Sequence, residues 1–409
     1  MAKRTYDVVV WGATGFTGKW VAKHLFDNYS RKQLRWAIAG RNEEKLHQVR
    51  EFIGDEDGAI DLLLADSADQ ASLVKMAEAV EVIISTVGPY SDYGSLLVKV
   101  CTMVGTDYVD LTGEVPWMRN MIDEYSDFAK KSGARIVHSC GFDSIPSDMG
   151  TFYVQQYAQQ QFAESLKCVR YTLIKAKGGM SGGTIASMMN VIKLAVSNKK
   201  VRRLLGNPYA LNPDLKFNGG DKRDQTGVKF SQDVQRWTAP FLMAGINTRI
   251  VRRTNALMNF RYGTDFRYSE SMATGSGAKG YLAAKSISLG LNAMTLTSVT
   301  QLGRNVLRRF LPAQGEGPEV DPASPGFYVI QFNGETRGGE SVVMRLKGDA
   351  DPGYGSTSKM LAESAVCLAK DKISVDGGFW TPASAMGDVL LTRLQEKAGL
   401  SFTIISEDD

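Results

Sequence analysis

Cysteine is scarce: Cys101, Cys140, Cys168 and Cys367 are the only four in 409 residues. None are spaced like metal ligands or a redox couple, so no metal site is expected. A chain this long builds its core without disulfides, and the thiols are expected to stay reduced in the cytoplasm. The net charge is only +4, which gives no footing for a nucleic-acid partner. Long apolar runs are missing as well. The longest charge-free stretch, SISLGLNAMTLTSVTQLG at residues 286–303, is less than half apolar and too polar to span a bilayer. It reads as a helix buried in a mixed domain. A helix lining an acyl tunnel or lying on a membrane surface is the alternative, which the basic GRNVLRRF at 303–310 keeps open. The opening MAKRTYD runs straight into an apolar strand, so no signal peptide is expected.

What is present in the first third is alternation. YDVVVW, RWAIAG, IDLLLAD, VEVIIST, TDYVDL and ARIVHS read as strands separated by segments of helix length. Continuous apolarity suits strands covered on both faces. Residues 1–150 therefore read as an α/β domain, a doubly wound parallel sheet of the Rossmann type. A polar helix from Ser147 and a strand, KCVRYTLIKAKGG, follow. Residues 198–275 show few clean periods. AQGEGPEVDPASPG at 313–326 reads as a linker, and FYVIQFNGETR with ESVVMRLKGD reads as a hairpin. The last sixty residues read as helical, with Thr381 and Pro382 as a cap and first-turn pair.

The first strand runs into VVVWGATGFTGKWVAKHL. Gly12 permits a sharp turn, Gly15 clears space where a pyrophosphate touches backbone, and Gly18 lets the helix pack on the sheet. The helix N-terminus offers free N–H groups to the phosphates, with Thr14, Phe16 and Thr17 in the turn. A site for NAD needs an acid at the end of the second strand, but Gly40 and Arg41 stand there. A guanidinium pairs with a 2′-phosphate through two bonds, so the expected cofactor is NADP(H). Asp66 ends the third strand, either bonding the adenine amino group or serving as a plain turn residue. Val87, Gly88 and Pro89 end the fourth, where the nicotinamide half is expected.

These residues, with GFDSIPSD at 141–148, GGMSGGT at 178–184 and GGFWTPASAMG at 377–387, resemble the saccharopine dehydrogenase-like oxidoreductase family. The bacterial branch containing the mycobacterial trans-acting enoyl reductases is the most similar. The resemblance implies an NADP-binding Rossmann domain at 1–150 and a mixed α/β substrate or dimerisation domain at 151–350. Helices of 351–409 would then return to the Rossmann domain. It implies an NADPH-dependent oxidoreductase without fixing the reaction. Reduction of a lipid-like or polyketide enoyl substrate, free or carrier-bound, leads. A C–N oxidoreductase acting on an amino-acid conjugate, or a non-catalytic NADP-binding sensor or membrane-associated scaffold, are the alternatives. A homodimer and peripheral membrane contact both remain open.

A polycarboxylate substrate would need convergent cations, and the inserted segment offers Arg236, Arg249, Arg252, Arg253, Arg261 and Arg267. The same stretch also reads as a basic helix face for an acidic partner. The apolar, Met-containing residues 286–302 favour a greasy substrate instead. Hydride transfer leaves charge that a donor must neutralise. Asp143 and Ser144, after the sixth strand, are the candidates, with a helix cap as the plain alternative. Tyr90 is a third candidate, beside the nicotinamide turn. His138 reads as a core histidine and Cys140 as a small buried side chain. Tyr281/Lys285 and Tyr171/Lys175 have Tyr-x-x-x-Lys spacing, but chance alone supplies about one such match, and both are set aside. Ser181 or Thr184 caps a helix that either binds a substrate oxyanion or simply packs.

Overall fold

The computed structural model describes residues 4–178, 182–221, 223–307 and 326–406. Ser181 and the 313–325 linker lie outside the described residues. The first sheet is built from β1 (Tyr6–Trp11), β2 (Trp36–Gly40), β3 (Asp61–Leu64), β4 (Val80–Ser85), β5 (Asp107–Asp110), β6 (Arg135–Val137) and β13 (Gly378–Trp380). Its order is β13-β6-β5-β4-β1-β2-β3, and every pairing is parallel. Helices α1 (Phe16–Asn28), α2 (Glu43–Ile53), α3 (Gln70–Glu78), α4 (Tyr90–Tyr93), α5 (Ser95–Val104) and α6 (Val115–Ser132) connect the strands. Val8, Val9 and Val10 are buried in succession, as a strand covered on both faces requires. The strand order reverses between β1 and β4, which opens the ligand crevice of doubly wound sheets at their carboxyl ends.

The second sheet is mixed. It contains β7 (Leu166–Lys177), β8 (Lys229–Ser231), β9 (Arg236–Pro240), β10 (Arg267–Gly275), β11 (Phe327–Thr336), β12 (Ser341–Gly348) and β14 (Leu400–Ile405), in the order β14-β12-β11-β7-β10-β9-β8. Among these, β7 and β10 pair in parallel and the expected hairpin β11–β12 is antiparallel. The remaining helices are α7 (Ile145–Phe162), α8 (Gly182–Ser197), α9 (Lys199–Gly206), α10 (Ala244–Leu257), α11 (Gly277–Val299), α12 (Gln301–Leu307), α13 (Gly355–Lys370) and α14 (Pro382–Glu396). The boundary expected at residue 150 falls inside α7, which lies on the second sheet and packs on α10 and α14. Helix α13 packs on β1, β4, β5 and α1, so this segment returns to the first sheet, while the final strand β14 joins the second. Ser384 Oγ accepts from the Thr381 N–H and closes the start of α14.

Three expectations need correction. The last sixty residues are not all helical: β13 extends the first sheet, and β14, with Leu400 and Phe402 buried, pairs with β12. The stretch 286–303 is not a buried helix, because Leu289 and Leu296 on α11 are 59% and 72% exposed. The arginines of α10 form no basic surface. Arg249, Arg252 and Arg253 are buried and donate to the Leu205 carbonyl at the end of α9 and the Pro208 and Leu211 carbonyls of the loop that follows it. Asp224 and Asp221 pair with the first two, and Arg253 also reaches the Phe379 carbonyl of β13. Cations inside a protein persist only when answered in this way.

The tightest approach of α7 to the second sheet is at Gly150, where a Cβ would stand 2.4 Å from Phe332 Cζ. Gly150→Ala is therefore expected to lower stability by about 1–3 kcal/mol, read by chemical denaturation. Wild-type stability in this variant would show that the packing is looser than described.

Candidate active site

At the switch point β1 ends in a turn held by backbone. Gly12 N–H donates to Ala39 O at 3.0 Å and Gly15 N–H to Gly12 O at 2.9 Å. Gly12 has φ +84°, and a Cβ there would stand 2.6 Å from Val87 Cγ2, so only glycine fits. A Cβ on Gly18 would stand 2.2 Å from Gly12 O, which keeps α1 against the turn. A Cβ on Gly15 would meet nothing nearer than Gly12 O at 3.3 Å. That contact is tight, but no other atom lies within 4 Å, so a side chain at Gly15 would project into the cavity it lines. No side chain caps α1 and no acid sits in its first turn, so its N–H groups are free for phosphate. These features fit the pyrophosphate of a dinucleotide.

A cavity of about 610 Å³ runs from this turn along the carboxyl ends of the first sheet. Gly12, Thr14, Gly15, Phe16, Thr17, Gly40 and Arg41 line one end, and Val87 and Gly88 line the middle. Arg41 is exposed and makes no hydrogen bond or ion pair with a described residue. Glu43 and Glu44 sit in the first turn of α2 instead of pairing with it. Beyond Gly88 the wall is apolar, built from Met188, Val191, Leu205, Leu242, Met243 and Ile246. Among the described residues no group of three or more His, Cys, Asp or Glu side chains could hold a metal.

One carboxyl faces this wall. Asp143 keeps part of its surface on the cavity and makes no hydrogen bond or ion pair with a described residue. The protein packed around it pushes its pKa up to about 7, with no cation or donor to offset the loss of water. Arg249 also reaches the cavity, but Asp224, Gly245 O and Leu205 O take the N–H groups of its two terminal nitrogens, leaving only Nε without a partner among the described residues, and burial lowers its pKa.

The chain is similar end to end to named reductases. A trans-acting enoyl reductase of Mycobacterium tuberculosis is 36% identical over 96% of this chain and 96% of its own length. The Mycobacterium leprae enzyme of the same name matches to the same degree. A further Mycobacterium tuberculosis relative, which carries that name provisionally, is 40% identical over 98% of this chain and 97% of its own. The chain belongs to the trans-acting enoyl reductase family. Family membership makes it an oxidoreductase. Its fold is that of saccharopine dehydrogenase: the Saccharomyces cerevisiae enzyme superposes with a TM-score of 0.56 at 13% identity, over 98% of this chain and 100% of that one. No protein-family model matches the chain.

For this family member the structure sorts the sequence candidates. The glycine turn, Arg41, Val87, Gly88 and Asp143 come together on one cavity. Ser144 does not. It is fully buried, and its hydroxyl bonds Asn247 Oδ1 at 3.1 Å because the start of α7 turns it toward α10. Tyr90 contributes its ring to the wall, but its hydroxyl donates to Ser85 O at 2.9 Å, and burial raises its pKa well above the usual phenol value. That phenol pins the ends of β4 and β5, since it also accepts from the Leu111 N–H at 3.4 Å. Asp66 takes the turn role, accepting from the Ala68 N–H at 2.9 Å, and its neighbour Ser67 reaches the cavity instead. Pro89 precedes α4 and stands outside the cavity wall. His138 is a core residue, bonded to Asp110 at 2.7 Å among Trp117, Tyr108 and Phe379.

Sequence reasoning missed Glu114. Its buried carboxylate accepts from the Tyr90 and Ser91 N–H groups at 2.7 and 3.0 Å and from Ser187 Oγ of α8 at 2.8 Å. It joins the sheet edge to the helix that walls the cavity. The only local signal was an acid just ahead of a Val-Pro helix start. The sequence also missed the apolar wall, because its residues are split between α8 and the 198–275 region, which carries no clean period.

The position of Gly15 on the cavity yields a test. Gly15→Val should weaken dinucleotide binding about 100-fold or more by filling the phosphate seat, while the chain stays folded with only a small drop in thermal stability from the close Gly12 O. Calorimetry showing undiminished binding would remove the turn from the cofactor site.

Proposed function

We propose that this protein is an NADPH-dependent reductase of enoyl groups on lipid-like or polyketide acyl substrates. The observation that carries the reading is the apolar wall of α8, α9 and α10 facing one unpaired, readily protonated carboxyl, Asp143. The glycine turn supports a nicotinamide dinucleotide, and unpaired Arg41 beside Gly40 supports its 2′-phosphorylated form. The names of the mycobacterial relatives support an enoyl substrate. A polycarboxylate substrate has less support, since the cations of α10 are spent on Asp221, Asp224 and backbone.

When bound, NADPH supplies hydride to the substrate double bond. This chain supplies the rest. Met188, Val191, Leu205, Met243 and Ile246 exclude water around the acyl chain. Asp143 in its protonated form holds the proton that quenches the charge developing next to the thioester carbonyl. Solvent at the cavity mouth then restores the proton. A carboxyl poised near pH 7 balances donor strength against availability.

Three outcomes follow. Because burial raises the Asp143 pKa, the donor is present below pH about 7 and lost above it, so kcat should fall about tenfold per pH unit on the alkaline side. Asp143→Asn should cut turnover of a 2-enoyl thioester by about 100-fold or more and leave NADPH binding intact. Unchanged turnover would exclude Asp143 as donor. Arg41→Asp should weaken NADPH by about 10- to 100-fold and NADH far less. Equal losses in calorimetry would overturn the phosphate assignment.

A further inference from the structure

Helix α11 presents an apolar face that no described residue covers. Leu282, Leu289 and Leu296 recur every seven residues and are 60%, 59% and 72% exposed. A seven-residue step drifts only about 20° around a helix, so the three leucines form nearly one line. The helix has 23 residues, about 34 Å at 1.5 Å per residue. Val299 and Leu302 continue the exposed apolar surface into α12. At the other end, Phe230, Trp237 and Tyr281 stack edge to face. Aromatic side chains of this kind favour the boundary between lipid and water.

Within the segments that build this face the charge has one sign, and acids approach it only at the α8–α9 end, where Asp92 accepts from Asn190 and Asp123 and Glu124 stand near Leu194. No acid occurs between Glu270 and Glu316, or between Glu164 and Asp214. Those two segments include α8, α9, α11 and α12, and α8 packs against both α9 and α11. Lys193, Lys199, Lys200, Arg202, Arg203, Lys279 and Lys285 are all exposed. Leu194 and Val196 of α8 add exposed apolar surface among these cations. No helix among the described residues is long and apolar enough to cross a membrane. An apolar line flanked by cations, on a helix too polar to insert, has the chemistry of an element lying in a lipid interface.

We infer that the α8–α9–α11–α12 face docks on an anionic lipid surface, with Leu282, Leu289 and Leu296 entering the headgroup boundary and the lysines and arginines meeting phosphate. A second copy fits less well, because two-fold pairing along the leucine line would bring Lys279 and Lys285 of α11 onto a helix that carries no acid to oppose them. An acidic protein would answer the charge but not a straight line of leucines along the helix. The face lies next to the cavity, since Met188 and Val191 on α8 line it while Leu194 on the same helix is exposed. The inference does not depend on the reduction chemistry.

Flotation of the full chain with vesicles of equal parts phosphatidylglycerol and phosphatidylcholine tests the inference. The chain should float with these vesicles and bind phosphatidylcholine alone about tenfold less. Leu289→Asp with Leu296→Asp, and separately Leu289→Ser with Leu296→Ser, should each reduce binding about tenfold or more. Thermal unfolding and dinucleotide affinity should not change, since both side chains are exposed. Failure to float, or equal binding by the leucine variants, would overturn the inference. So would a concentration-dependent dimer in lipid-free solution that the same substitutions dissolve. Binding to an acidic carrier protein in preference to the vesicles, lost in the same variants, would overturn it equally.

Discussion

Three helices from distant parts of the chain meet at the carboxylate of Asp148. It lies in the first turn of α7, is almost wholly buried, and accepts from the Thr254 hydroxyl of α10 and the Ala383 N–H of α14. Thr254 also bonds Thr381, which starts α14. Burial without a cation pushes the carboxyl up to about 7, while the two donors pull the other way. A buried acceptor of this kind tolerates little rearrangement, because each donor it releases is left unpaired. The cavity inherits its shape from this junction. Helix α10 and the turn before it bring Met243 and Ile246, and the turn into α7 brings Asp143. Ser147 and Asp148 read from sequence as ordinary helix-start residues, and the start is indeed there. What sequence could not reveal is that the start is inside the protein.

The first sheet was legible because its signals are local. Each of β1 to β6 is a short apolar run next to a helix of ordinary amphipathicity, and parallel strands need no distant information to be recognised. The strand β13 escaped because three residues, Gly378–Trp380, carry no period, and only the β6 edge makes them a strand. Strand β14 does alternate, with Leu400 and Phe402 inward, but it follows a long helical stretch and is short. The irregular region of 198–275 escaped for a different reason. Its order comes from arginines bonding backbone carbonyls, and such bonds leave no hydrophobic period to read.

The candidate site divides in the same way. Its phosphate end comes from one continuous strand, turn and helix, where glycine spacing states a steric requirement directly. Its apolar end comes from α8, α9 and α10, whose inward residues are scattered over sixty positions with no motif. Asp143 and Ser144 show the limit of reading at single-residue resolution. They are adjacent, both chemically able, and both suited to capping. The turn into α7 sends one to the cavity and the other to Asn247. A sequence names the pair, but only the path of the backbone chooses between them.

Charge placement separates the two halves of the inserted region. The cations on α10 are each answered: Arg249 by Asp224, Arg252 by Asp221 and Arg253 by the carbonyls of Leu211 and Phe379. Cations on α8, α9 and α11 have no acid in their own segments to answer them, and stand in solvent beside exposed leucines. Unanswered charge is harmless in water, so stability alone does not explain why acids are missing there. Exposed leucines on a line bring no folding benefit either, since their burial waits on a partner. Two features that folding leaves unexplained fall on one face, and that face borders the apolar end of the cavity. A shared external surface accounts for both. Helix α8 then has two apolar tasks, one inward at Met188 and Val191 and one outward at Leu194, which is why it reads in sequence as neither a core helix nor a solvent helix.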